Sequence, residues 1–208
     1  MRQGGSIVGV EKARTRAEQK QHTRALIVAS ARHIVAESGF AGLAVREVAR
    51  GAGIVPTAFY RHFASVDELA GALANGAATD FAALVDELVE AVRAPGGRLE
   101  HTAPPLAVRA AREDPTRWSV FARGLVDPAG PDHGALGAAL DTARGRVALA
   151  LGRSERFATS PDAAVETAAD LVVAELVRVL VETGAGHAEL VAERSSARLG
   201  LVLAGLGA

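Results

Sequence analysis

A chain of 208 residues without cysteine is long enough to bury a sizeable core, and it excludes a disulfide framework and any thiolate metal site. Its Ala-, Leu-, Val- and Arg-rich composition, poor in aromatic residues, suits helices better than sheets. The formal net charge of −1 hides an asymmetry: residues 1–62 hold ten Lys/Arg against four Asp/Glu, a net of +6, and the remainder holds thirteen against twenty, a net of −7. Such a division points to an N-terminal part attracted to a polyanion, a solvated basic tail being the plainer alternative. Met1–Lys20 lacks the apolar core of a signal peptide, and the most apolar stretch, Ala163–Glu182, is interrupted by Glu166, Asp170, Glu175 and Arg178. The expectation is a cytoplasmic chain with no membrane segment.

In chain order, residues 1–19 read as a disordered basic arm. The first helix is predicted over Lys20–Ser38, with Ile27, Ala31, Ile34 and Val35 at helical spacing and Gly39 as its stop. A short helix follows over Val45–Gly51, and Gly51-Ala52-Gly53 ends it with a glycine able to take positive φ. A third helix opens at Pro56, where a missing N–H costs nothing, and carries Phe59 and Phe63 on one side. Asp67 and Glu68 favour the first turn of a long fourth helix, Val66–Ala94. Proline and glycine clusters then delimit helices near 104–113, 115–126 and 133–152. Ser160-Pro161 reads as the start of a helix to Glu182 with Ser160 as N-cap, and a last helix runs over His187–Leu203. The predicted fold is all-α, about nine helices, divided into a helix-turn-helix domain over 20–65 and a helical effector-binding and dimerisation domain over 66–208.

A short helix, a glycine turn and a second short helix form the unit whose second helix enters a DNA major groove. Phe59 and Phe63 can anchor that helix, and Thr57, Tyr60 and Arg61 project elsewhere, offering donors and apolar contacts to bases and phosphates. The stretch Thr23–Asp80 resembles the DNA-binding region of the TetR family of bacterial regulators, through Arg46-Glu47-Val48-Ala49, Ala52-Gly53-Ile54, Phe59-Tyr60-Arg61-His62-Phe63 and Asp67-Glu68-Leu69. It covers a little over a quarter of the chain. Pro56–Phe63 followed by Val66–Leu69, with Asp114-Pro115, Trp118 and Arg123 further on, is most similar to the repressors of unsaturated fatty-acid synthesis. The resemblance implies Arg46, Pro56, Thr57, Ala58, Tyr60, Arg61 and His62 as contacts to double-stranded DNA. Tyr60, Arg46 and His62 are assigned to phosphates, Arg61, Thr57 and Ala58 to bases. Each has a plainer alternative: core packing for Tyr60, a surface charge for Arg61, a helix-end cap for His62, an acid partner for Arg46.

Two departures from the family pattern stand out. Many members carry a phosphate-touching lysine where Val66 stands, and Ser or Thr where Ala44 opens the second helix. Both losses reduce the number of phosphate anchors, and the second also removes a cap worth roughly 1 kcal/mol.

The two C-terminal helices present Val165, Leu171, Val172, Leu176, Val179 and Leu180, then Leu190, Val191, Leu199, Val202 and Leu203. They are read as a four-helix homodimer interface suited to a palindromic operator, burial within one subunit being the alternative. Leu84, Leu88, Leu106, Trp118, Phe121, Leu176 and Arg123 are candidate ligand-binding residues, plain core being the commoner explanation of any one of them and, for the arginine, solvated surface. Arg109, Arg117 and Arg123 are candidates to face an anionic head group, and the subgroup resemblance implies a small hydrophobic effector such as an acyl-CoA or fatty acid. No cofactor, metal or enzyme activity is expected. The six histidines are scattered without metal-ligand spacing, and no phosphate loop or nucleophile elbow occurs. A drug-efflux regulator with another effector and a helical ligand-binding protein without DNA activity are the competing readings.

Overall fold

The structure is a computed structural model, and it describes residues 15–94, 97–127, 134–183 and 188–207. Nine α-helices and two short 3₁₀ turns make up these residues, with no strand among them: α1 (Arg16–Ser38), a turn at Phe40–Gly42, α2 (Val45–Gly51), α3 (Pro56–Phe59), α4 (Val66–Arg93), α5 (Leu99–Glu113), α6 (Pro115–Val126), α7 (Gly134–Gly152), a turn at Glu155–Phe157, α8 (Asp162–Thr183) and α9 (Ala188–Leu206). No helix among them is long and apolar enough to cross a membrane.

Helix α1 starts four residues before the expected Lys20, so Arg16–Gln19 belong to a helix and not to a disordered arm; residues 1–14 lie outside the described residues. The cause is local. The Thr15 hydroxyl accepts from the Glu18 N–H at 3.2 Å, and the Glu18 carboxylate accepts from the Thr15 N–H at 2.6 Å, a reciprocal capping box.

The second difference is α5, which begins at Leu99 and runs through Pro104 and Pro105. Each proline removes one backbone donor from the helix interior. Leu99, Ala103, Pro104, Leu106 and Ala107 are nevertheless all buried, against α8 and α9, and that packing outweighs the two missing bonds. A third is Ser160. Its hydroxyl donates to the Leu206 carbonyl at 3.4 Å instead of capping α8, tying the end of α9 to the α7–α8 connection.

Helix α4 is the spine. It packs on α1, α5, α6 and α7, while α8 and α9 pack on α5. Buried Ile27, Ala31, Val48, Phe59 and Phe63 continue into Leu69 and Leu73 of α4, so one apolar core crosses the expected domain boundary at 65/66. Val165, Val172, Leu176, Val179 and Leu180 of α8 are buried within the subunit, as are Val191, Leu199 and Leu203 of α9. The face assigned to a dimer interface is thus mostly subunit core. Leu171, Val181, Leu190, Leu201 and Val202 are the large apolar side chains that these two helices leave exposed.

Candidate nucleic-acid interface

The interface is built from the turn outward. Ala52 ends α2, Gly53 takes φ of +68°, and the Ile54 N–H returns to the Ala49 carbonyl at 3.0 Å. That left-handed step reverses the chain with no Cβ to strain it. Val55 is the extended residue before α3, and Pro56 occupies the first helical position. The α-helical span covers only Pro56–Phe59, yet turn bonds continue it: the His62 N–H reaches the Phe59 carbonyl at 2.8 Å, and the Phe63 N–H reaches the same oxygen at 3.1 Å.

That continuation keeps Phe59 and Phe63 together, with ring centroids 5.9 Å apart and both rings buried. Arg24 of α1 closes the far end, stacking 4.0 Å above the Phe63 ring and donating to the His62 carbonyl at 2.8 Å. Arg24 is not among the contacts expected from the sequence.

With Phe59 and Phe63 fixed, the outward side is determined. Pro56, Thr57, Tyr60 and Arg61 are exposed, Ala58 and His62 half-buried, and Tyr60 keeps 59% of its surface in water. The Tyr60 ring stands edge-on to Phe59 at 5.5 Å, so its body is supported while its hydroxyl end is open. Arg46 at the start of α2 is also exposed, and neither Arg46 nor Arg61 is paired with a carboxylate among the described residues. Arg50 is instead paired with Glu47. Ala44 makes no side-chain cap, as its residue type requires, and Ser65 caps α4 by accepting from the Glu68 N–H at 3.0 Å. Val55 is a residue that sequence reasoning missed. A valine left exposed just before Pro56 is the available signal.

His62 sits among positive neighbours. Partial burial pushes its imidazole below the usual value, and Lys20, Arg24 and Arg61 push it further. Its Nδ1 atom is buried without a hydrogen-bond partner among the described residues.

The ligand candidates fare differently. Leu84, Leu88, Leu106, Trp118, Phe121 and Leu176 are all buried. Phe121 stacks on Phe81 at 4.6 Å, and the Trp118 indole donates to the Ala110 carbonyl at 2.9 Å. Among the described residues, those candidates that border a recess are divided between separate ones. Trp118 and Arg123 flank a recess of about 170 Å³, while Leu84 and Trp118 border another of about 330 Å³. Arg123 donates to the Ala36 carbonyl at 3.2 Å, and the Asp127 carboxylate accepts from the Phe40 N–H at 3.0 Å. The C-terminal end of α6 therefore grips the C-terminal end of α1. Arg109 is paired with Glu87 and Glu113, and Arg117 with Asp80 and Asp114, so both are already neutralised.

Residues 27–73 match the family model described as bacterial regulatory proteins, tetR family. This stretch of the chain is therefore similar to the tetR family of bacterial regulators. The matched span includes α2, the Gly53 turn and α3, so the DNA-binding element of the family coincides with the interface above. The whole fold agrees. A TetR-family transcriptional regulator from Streptomyces coelicolor superposes with a TM-score of 0.74 at 21% identity, over 90% of this chain and 97% of that one. The TetR-family regulator PfmR from Thermus thermophilus gives 0.65 at 18% identity, over 92% and 97%. A protein described as the multidrug binding protein EbrR, complexed with imidazole, gives 0.53 at 22% identity, over 85% and 93%.

Proposed function

We propose that the protein is a repressor that binds a palindromic operator as a homodimer and is released by a small hydrophobic effector. The observation that carries the DNA half is the exposed side of α3, held by two buried phenylalanines and flanked by Arg46 and Arg61, which no carboxylate among the described residues neutralises. In this reading Thr57 and Ala58, with Pro56 and the newly noted Val55, approach base edges at the helix start. Arg61 donates to a base, and Tyr60, His62 and Arg46 hold phosphates. Replacing Tyr60 or Arg61 by Ala tests it: each variant should lose about ten- to a hundredfold in operator affinity while melting like the parent. Unchanged affinity in both would return α3 to a plain surface helix and favour a ligand-binding protein without DNA activity.

The dimer reading rests on the exposed apolar stripe of α8 and α9. Leu190, Ala197, Leu201 and Ala204 recur along one line of α9, with Leu201 79% exposed, and Leu171 and Val181 lie on α8. A groove of about 840 Å³ beside them is lined by Arg178, Glu182, Leu190, Arg194 and Arg198 among others. Pairing with a symmetry mate would cover this stripe and present two α3 helices to two half-sites. Leu201→Glu should yield a monomer by light scattering; a persistent dimer would move the interface elsewhere.

The domain over 66–208 is read as the effector-binding and dimerisation part, with the α6–α1 grip of Arg123 and Asp127 linking it to the DNA-binding end. The effector is taken first as an acyl-CoA or fatty acid, supported only by the motif resemblance. The multidrug-binding relative supports the alternative of drug sensing. Acyl-CoAs that leave operator affinity unchanged would sink the first reading.

A further inference from the structure

A further cavity lies at the opposite end of the bundle. Val92 of α4 stands 23 residues beyond Leu69, roughly 35 Å along the helix from the helix-turn-helix. There the ends of α4, α7 and α9 meet the start of α5 and the turn at Glu155–Phe157, around a pocket of about 520 Å³. Val92, Leu99, Leu151, Phe157 and Leu203 supply apolar wall, and Arg98, Glu100, Ser154, Glu155 and Arg156 supply the polar part. None of the ligand candidates drawn from the sequence lies here.

The unusual member is Glu100, a carboxylate only 3% exposed. A single oxygen, Oε1, accepts from Arg98 at 2.9 Å through Nε and lies 2.6 Å from its Nη2. The same oxygen accepts from Arg156 Nη1 at 3.0 Å. Two guanidinium groups therefore share one anionic oxygen, at the N-terminal end of α5, where the helix dipole is positive. Burial pushes the Glu100 carboxyl up, but its own backbone N–H, Arg156 and Arg98 more than offset this and leave it below its ordinary value. The surplus is positive at the inner wall. Each guanidinium has five N–H donors, and most of those on Arg98 and Arg156 are not engaged by another group among the described residues. Glu155, the other acid of the lining, is exposed.

We infer that this distal pocket binds an amphipathic organic carboxylate, its head on the Arg98–Arg156 pair and its apolar body against Leu151, Phe157 and Leu203. The volume falls in the roughly 300–1,000 Å³ range of small-molecule sites. Glu100 holds the two cations in place before the ligand arrives, and a bidentate carboxylate suits planar guanidinium donors better than an alcohol does. This deepens the effector half of the proposed function, and its test is separate from that half.

The test is calorimetric titration of the full chain with octanoate, octanol and octylamine at neutral pH. Octanoate should bind saturably, one per subunit, and the other two at least about tenfold more weakly. Arg98 is 59% exposed, so Arg98→Gln should fold as the parent does and still weaken octanoate about tenfold. Leu151→Trp, which fills the pocket, should abolish the binding. Absence of saturable octanoate binding, equal binding of octylamine or octanol, or full binding retained in Arg98→Gln would overturn the site. Operator affinity measured with octanoate reports on the effector reading alone: a site that binds without releasing DNA leaves the pocket standing and refutes the regulation.

Discussion

The arginines of the two ends of the molecule are treated differently. In the bundle, Arg93, Arg98, Arg109, Arg117, Arg144, Arg146, Arg156, Arg178 and Arg198 each lie against a carboxylate. In the helix-turn-helix, Arg50 is paired with Glu47, but Arg46 and Arg61 have no such partner among the described residues, and Arg24 is spent on the Phe63 ring and the His62 carbonyl. The overall charge near zero therefore combines a bundle most of whose arginines lie against carboxylates with an N-terminal face on which Arg46 and Arg61 remain to meet an external anion. An unpaired arginine beside a rigid exposed helix carries functional information that a paired one does not.

Three changes probe that contrast, the largest effect first. Phe59→Ala removes the buried ring that fixes α3 and should cost about 3–5 kcal/mol in denaturant unfolding, with DNA binding lost as a consequence. A loss below about 1 kcal/mol would mean that α3 is positioned by other contacts. Arg109→Ala in the bundle should change stability by no more than about 1 kcal/mol and leave operator affinity alone, because its pairs with Glu87 and Glu113 are solvent-exposed. The third, Val66→Lys, restores a cation beside α3 and should steepen the dependence of log affinity on log salt by about one unit.

His62 sharpens the contrast through pH. Its imidazole titrates below 6.5 in the free protein, so the unfolded chain binds more protons there. Folded stability should fall as pH drops below 6.5 toward the lowered value, and remain level above it. A phosphate against His62 would reverse the local field and raise its pKa, so operator affinity should strengthen over the same descent. His62→Gln should flatten the affinity profile, and an unchanged profile would remove His62 from the contacts.

The same contrast explains what the sequence made legible. Helix α2 and the start of α3 fell where expected, since Gly51-Ala52-Gly53 and Pro56 act on their own backbone. The Thr15–Glu18 capping box was equally local, a T-x-x-E signature passed over inside a basic arm. Helix α5 was misjudged because two prolines read as a start, whereas tertiary burial carried the helix through them. The pocket walls and the dimer face were harder still. Whether Leu176 or Leu201 meets core, ligand or partner depends on helices more than ten residues away in the chain, and periodicity is the same in all three cases. Glu100 could not be singled out at all, since its neighbour Arg156 lies 56 residues on.

On the proposed function, the α3-face arginines that lack a carboxylate partner among the described residues, and not the paired ones of the bundle, read DNA. Operator affinity of Arg61→Ala and Arg109→Ala, measured side by side with their melting temperatures, tests it most directly. Arg61→Ala should bind at least about tenfold more weakly with an unchanged melting temperature, and Arg109→Ala should bind as the parent does. Equal affinity of the two variants would contradict the account.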